Sequence, residues 1–391
     1  AKETKGEELK HFRLAGKDRV WHAAEAVIDG DEVVVTCKAV PNPHGVQYAY
    51  SASPIGANLY NKAGLPAIPF AYFDGVQLFN EDDPVIVATA KAEAVRKWGK
   101  KTYLLPSSLF RDHAVLQRGL PVPVWGHGVS GTEITVTFGA QKKTAKVDAF
   151  ERWSLILDPM SAFAKGRDLK ITCSNGEART IADILVGDVW IGSGQSNMAG
   201  GVRGYSKGDE VLAELAAGTY PQLRLCRGRG GSWQQSNPKT NAGFSALLFA
   251  FGQRLQKDLD VPVGLILGAV GGTPSGRWLT DEMLANDEKT KSFKAANGGD
   301  LYKQHILPVV RYGIRGVLWD QGESGTAIRG LDQFTTMGAL IGGWRDAWGQ
   351  GEFPFLYVQK PSGGGCAWDQ SNPTDLTPSR CTSGNERITR I

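Results

Sequence analysis

The chain has 391 residues, 41% apolar and 21% charged, a composition that fits two or three folded domains and excludes a disordered chain. Its 44 basic and 40 acidic residues are well mixed, leave a net charge of +4, and form no clustered basic stripe of the kind that nucleic acid binding uses. The 49 glycines exceed the average usage of about 7% but follow no G-X-Y period, so collagen is excluded and tight loops must absorb them.

The longest strictly apolar run is Ala246–Phe251, far short of the roughly 20 residues of a membrane helix. Ala1–Lys10 is polar and charged and shows no signal peptide, so the protein is expected either to be cytoplasmic or to have a processed or missing start. The cysteines, at positions 37, 173, 226, 366 and 381, form no C-x-x-C pair, which argues against a zinc site or a thioredoxin-type motif. Cys366 and Cys381 either close a small loop in an oxidising compartment or stay unpaired.

In chain order, residues 1–73 read as a β module. Its clearest element is a hairpin in which Val27 and Ile28 lead through Asp29-Gly30-Asp31 into Glu32–Thr36. Residues 74–103 read as a linker, with a helix-prone run at Thr89–Trp98. Residues 104–185 read as a small β-sandwich. Pro121–Trp125 opens it, Glu133–Phe138 alternates polar and apolar, and Trp153–Leu157 and Leu169–Thr172 continue it.

From residue 186 to 391 strands alternate with helices, which predicts an α/β domain with a parallel sheet and helices on both faces. The strands are expected at Val189–Ile191, Leu223–Cys226, Val263–Leu267, Ile314–Trp319 and Phe355–Val358, in a flavodoxin-like order. Helices are expected on the periodic set Phe244, Leu247, Leu248, Phe251, Leu255 and Leu259, over Leu301–Tyr312, and on Met337, Leu340, Ile341, Trp344 and Trp348.

Ligands bind such sheets outside the carboxyl ends of the strands. Three glycine-rich loops stand there: Gly192-Ser193-Gly194-Gln195-Ser196-Asn197-Met198, Gly268-Ala269-Val270-Gly271-Gly272-Thr273-Pro274 and Asp320-Gln321-Gly322-Glu323-Ser324-Gly325. The first lacks the third glycine of a dinucleotide fingerprint, where Asn197 stands, and the lysine of a P-loop. What remains is a nucleophilic Ser196 at a helix start, or a serine that only caps that helix. The Ser196 N–H, the Gly272 N–H and the Gln321 amide would make three donors for one oxyanion. The plainer alternatives are a strand-to-helix turn at Gly271-Gly272 and a solvated loop at Gln321 and Glu323.

These motifs, in this order, resemble the sialate O-acetylesterase family of SGNH-type carbohydrate esterases. The block Leu109–Gly126 also resembles the family's opening β segment, and the match runs from Leu109 to about Lys360. The resemblance implies a three-layer α/β/α hydrolase carrying a β-sandwich, and removal of acetyl groups from hydroxyls of sialic acids or related sugars. It implies Ser196 as nucleophile and Gly272 and Gln321 as oxyanion positions beside the Ser196 N–H; Gln195, Asn197 and Glu323 are read from the loops as supporting residues, with Glu323 orienting the site by hydrogen bonds. It implies no metal or organic cofactor and an extracellular or periplasmic location, while the charge and hydropathy read above lead to the expectation of no nucleic acid or membrane partner.

The chain departs from the family pattern at Asp320 and Gly325, which bear on sugar recognition. It also has no histidine after His305, where the family places an Asp-x-His motif whose histidine takes the serine proton. His305 is read as structural or exposed, and His11, His22, His44, His113 and His127 belong to the β regions. Val40-Pro41-Asn42-Pro43, Ala57–Lys62 and Gly64-Leu65-Pro66 resemble the family's C-terminal β region, so the chain is expected to be a piece of a tandem protein or a rearranged one. Two other functions compete with an esterase of impaired activity. One is a non-catalytic sugar-binding module, and the other is a glycosidase using Asp320 and Glu323, which lie closer in sequence than two flanking carboxylates usually do.

Overall fold

The computed structural model describes residues 9–16, 21–30, 32–49, 58–59, 70–73, 76–77, 103–148, 151–228 and 231–358. The Thr89–Trp98 run, Gly64-Leu65-Pro66 and the cysteines at 366 and 381 lie outside these residues.

The first seven strands are β1 (Phe12–Ala15), β2 (Trp21–Ala23), β3 (Glu25–Asp29), β4 (Glu32–Thr36), β5 (Gly45–Tyr48), β6 (Phe70–Phe73) and β7 (Val76–Gln77). Five of them form an antiparallel sheet in the order β2-β1-β5-β6-β7. Strands β3 and β4 form the expected hairpin, with Asp29 opposite Glu32.

Strands β8 (Leu104–Pro106), β9 (Val115–Gln117), β10 (Val122–Gly128), β11 (Glu133–Phe138), β12 (Gln141–Lys146), β13 (Arg152–Leu157) and β14 (Phe163–Cys173) follow. One sheet has the order β13-β10-β8, and β12-β11-β14 leads into a larger sheet. Strand β11 alternates as its sequence predicts: Ile134, Val136 and Phe138 are buried. They share one core with Leu169 and Ile171 of the neighbouring β14 and with Val122, Val124, Trp153 and Leu155 of the other sheet.

Strand β15 (Ala178–Gly194) is 17 residues long and joins this region to the next. Its first part pairs antiparallel with β14, its middle pairs parallel with β9, and Asp188–Gly194 pairs parallel with β18 (Val263–Ala269). The backbone is therefore continuous through residues 185 and 186. Strand β16 (Tyr220–Arg227) carries the antiparallel β17 (Trp233–Ser236) on its outer edge, and β19 (Gly316–Asp320) and β20 (Phe355–Tyr357) complete the sheet.

The five parallel strands run β16-β18-β15-β19-β20, or 2-3-1-4-5 in chain order. A flavodoxin-like sheet runs 2-1-3-4-5, so the expected order is corrected. The chain turns back at β17 and returns through α5 (Ala246–Leu259), which packs on β16 and β18. Strand β18, buried along nearly its whole length, then enters between β16 and β15. This order makes the strands that carry the three glycine-rich loops immediate neighbours.

Side chains alternate between the two faces of the sheet. Val189, Ile191, Ile266, Val317 and Trp319 enter one core, with Trp278, Trp344 and Trp348. Trp190, Leu223, Leu225, Leu265 and Leu318 enter the other, with Met198, Leu248 and Phe249. Helices cover both faces, as predicted. Besides α5 they are α1 (Ser196–Ala199), α2 (Val202–Tyr205), α3 (Glu210–Ala216), α4 (Pro238–Ala242), α6 (Asp281–Ala285) and α7 (Gln333–Trp348). Ser245 caps α5 by accepting from Leu248 N–H, and Asp332 caps α7 by accepting from Thr335 N–H, each worth about 1 kcal/mol.

The helix expected over Leu301–Tyr312 is replaced by a π turn at Tyr302–Ile306 and a 3-10 turn at Leu307–Val309. Pro308 has no N–H to donate, and its ring would meet the carbonyl four residues back, so a regular α-helix cannot continue.

Candidate active site

The site is built where β15, β18 and β19 end side by side. Gly194 has φ 120°, and a Cβ there would lie 2.0 Å from the carbonyl oxygen of Asp320. Only glycine lets the end of β15 pass this close to β19. Gln195 N–H then donates to the Asp320 carbonyl at 2.8 Å, and Val270 N–H to the Gly194 carbonyl at 3.1 Å. Ser193 Oγ donates to the Gly268 carbonyl at 2.9 Å, which ties the first loop to the second.

Ser196 is the first residue of α1 and is exposed. Among the described residues its hydroxyl has no hydrogen-bond partner. The helix cap is Gln195, with no side-chain capping bond, so Ser196 is not an N-cap serine. A first-turn N–H has no intrahelical acceptor, so the Ser196 N–H is open to a ligand. A Cβ on Gly271 would lie 3.7 Å from both Cα and Cβ of Ser196, so the second loop runs past the serine at contact distance. Gly272, with φ 70°, faces open space.

The residues on either side of Ser196 are tied to one carboxylate. The Gln195 side-chain amide donates to one oxygen of Glu323, and Asn197 Nδ2 donates to the other at 3.1 Å. Tyr205 OH donates in turn to Asn197 Oδ1 at 3.2 Å. Gln195 is 2% exposed and Glu323 is exposed. Tyr205 was not singled out in the sequence. An aromatic residue one short helix beyond the serine loop was the available signal.

Gln321, expected at the oxyanion site, has its side-chain amide fully engaged by neighbouring loops. Its side chain is 2% exposed, and Nε2 donates to the carbonyls of Gly325 at 3.0 Å and Thr273 at 3.3 Å. Its Oε1 accepts from Gln333 Nε2 at 2.9 Å, and Gln333 Oε1 accepts from Ser275 Oγ at 3.0 Å. Both amide hydrogens of Gln321 are thus used by backbone carbonyls, and in this arrangement none is left for an oxyanion. Gln333 and Ser275 escape sequence reasoning because their partners lie in other loops.

Under the loops, Trp319 meets Trp278 and Trp344 edge-on, with ring centroids 6.0 and 5.9 Å apart. Trp278 Nε1 donates to Thr273 Oγ1, and Trp344 Nε1 to the Trp278 carbonyl. Truncating such a buried indole typically costs about 3–5 kcal/mol.

Two histidines have clear settings, and a Cβ on Gly268 would lie 3.7 Å from the Cβ of one of them, His305. His305 packs near Trp278, with centroids 5.8 Å apart, in a turn whose Tyr302 and Ile306 belong to the sheet face opposite Met198 of α1. His113 Nδ1 lies 2.7 Å from Asp183 Oδ2. Asp183 stands eleven residues before Gly194 on β15, or about 36 Å at 3.3 Å per residue. Burial works to raise the Asp183 carboxyl, but hydrogen bonds from Arg224 and His113 outweigh it and lower it to about 2.

Among the described residues no group of three or more His, Cys, Asp or Glu is placed to hold a metal, and no helix is long and apolar enough to cross a membrane.

The fold and the three converging loops define an α/β esterase-type architecture. Comparison with known proteins gives the family: the model of the carbohydrate esterase, sialic acid-specific acetylesterase family matches residues 186–381, and the chain belongs to that family. Sialate O-acetylesterases from Pongo abelii and Homo sapiens are each 29% identical over 282 residues, covering 61% of this chain and 53% of theirs. The chain therefore spans about half the length of the curated relatives it matches. A solved carbohydrate acetylesterase from Xanthomonas citri superposes with a TM-score of 0.58 at 29% identity, covering 66% of this chain and 61% of the other.

Proposed function

We propose that this chain is the catalytic unit of a serine esterase that removes O-acetyl groups from sialic acid or related sugars. The observation that carries the reading is the exposed Ser196, with both neighbours tied to Glu323 and Gly271 against its Cβ. In the reaction, Ser196 Oγ adds to the acetyl carbonyl carbon and its proton passes to a base. The carbonyl oxygen becomes an oxyanion held by the Ser196 and Gly272 N–H groups. The bond to the sugar oxygen then breaks, that oxygen takes up a proton, and water later frees acetate from the acetyl-serine. Gln321 acts in this reading as a buried strut between the second and third loops. An SGNH-type hydrolase core, a β-sandwich joined to it through β15, an additional N-terminal β module and an extracellular or periplasmic location complete the proposal.

Among the described residues no side chain accepts a hydrogen bond from the Ser196 hydroxyl. The relatives reported above are named as esterases, which supports turnover over sugar binding alone. The test is acetate release from O-acetylated sialic acid and acetylated xylose. Ser196→Ala is expected to abolish the release above background, and equal rates for the two proteins overturn the reading.

A further inference from the structure

A cavity of about 800 Å³ opens beside Ser196, with Asn197, Glu323 and Asp320 on its wall. Away from these three, it is walled largely by Leu212 and Leu215 of α3, Leu247 and Ala250 of α5, and Val358 beyond β20. Tyr205 stands on its wall as well, 47% exposed. The predicted apolar face of α5 explains how the cavity arises. Leu248 and Phe249 enter the core, whereas Leu247 and Ala250 are half-buried and turn to this space.

We infer that this cavity receives an apolar acyl group longer than acetyl, so that the substrates of Ser196 include sugar or alcohol esters of medium-chain acids. This deepens the esterase reading above and rests on it. Three features support the assignment. The volume lies in the range of pockets that enclose whole small ligands, whereas an acetyl group needs only a small recess. The polar groups Asn197 and Glu323 belong to the serine's own clamp, so the cavity borders the loop that carries Ser196. Tyr205 and Asp209 share the wall with Asn197, Asp320 and Glu323, but the leucine, alanine and valine side chains that make up the rest of it offer no hydrogen bonds and favour an apolar group. An alkyl chain attached to the carbonyl at Ser196 leaves nothing unpaired there and gains about fourfold in binding for each buried methylene.

The experiment compares 4-nitrophenyl acetate, butanoate and hexanoate, which share one leaving group and differ only in the acyl chain. The full chain is expected to show kcat/KM rising at least about tenfold from acetate to hexanoate. Ala250→Phe, which fills the cavity, and Val211→Trp, at an exposed rim position, are each expected to remove the rise and leave acetate turnover unchanged. Turnover that depends on Ser196 but falls along the series overturns the cavity assignment and leaves the esterase reading intact. Undiminished hydrolysis by Ser196→Ala overturns the esterase reading instead. A binding measurement decides the cavity without turnover: Ser196→Ala protein should bind hexanamide at least about tenfold more tightly than acetamide by calorimetry, and Ala250→Phe should erase the difference. Equal binding of the two amides overturns the proposal.

Discussion

Asn197 Nδ2 donates to Glu323 Oε1 across 3.1 Å, joining residues 126 positions apart in sequence. The same carboxylate holds Gln195, so the backbone of Ser196 is fixed on both sides by one residue of another loop. Glu323→Ala should therefore act through the orientation of Ser196. Misplacing a reacting group by about 1 Å can cost on the order of 100-fold. The expected outcome is a loss of that size in kcat for acetate release, with KM nearly unchanged and the thermal midpoint lowered only slightly. A loss confined to KM would show that Glu323 binds substrate instead.

Gly194 and Gly272 both have positive φ, yet their alanine variants should behave differently. At Gly194 the added Cβ meets the Asp320 backbone, and the loops cannot separate without breaking β15 from β19. Gly194→Ala should cost more than about 3 kcal/mol, in the range reserved for such clashes. At Gly272 the Cβ meets nothing, and only the left-handed conformation is penalised, by about 1–2 kcal/mol. Chemical denaturation of both variants checks the ranking, and Gly272→Ala should fold and lose activity.

If Gln321 is a strut, its replacement should register in stability before chemistry. Gln321→Leu leaves the Gly325 and Thr273 carbonyls and the Gln333 amide without their partners, at about 1–3 kcal/mol for each buried group. Urea unfolding should show the loss, and residual activity per folded molecule should fall modestly. A variant of unchanged stability with kcat reduced 100-fold or more would return Gln321 to the oxyanion site.

Acid should weaken the junction of β15 with its neighbours. The Asp183 carboxyl sits at about 2 in the folded chain against an ordinary 3.8, because Arg224 and His113 overcome its partial burial. A lowered carboxyl contributes stability in full above pH 4, and loses it as pH falls toward 2. Asp183→Asn should be less stable than wild type at pH 7, and the gap should close as pH falls from about 4 to 2. Urea midpoints across that range test the sign. A gap that widened in acid would exclude the ion pair as the cause.

Much of the site was legible in the sequence because short apolar runs ending in Gly-rich loops mark strand ends wherever the strands lie. Strand order was not legible. Val263–Ala269 reads as a buried strand whether it borders one neighbour or another, and only the return through α5 places it beside β15. Of the strand from Ala178 to Gly194 the sequence marks only Val189–Ile191 as strand and places a domain boundary at residue 185, because its pattern becomes continuously buried at Ile184 although the strand runs on. The partners of the Gln321 amide were hidden for another reason: its donors meet carbonyls on two loops, and nothing in the motif distinguishes this from a donor facing substrate.

The unbroken β15 also has a mechanical meaning. A single hydrogen-bonded ribbon, paired on both edges for part of its course, carries load from Arg179 at one end to the turn that bears Ser196 at the other. The ribbon bends at one point, where Asp183 has φ 55° and the pairing with β14 shifts register, and the ladder bonds on either side hold that bend. The position of the serine loop relative to the β-rich strands is thus set by one continuous ladder and by the angle at Asp183.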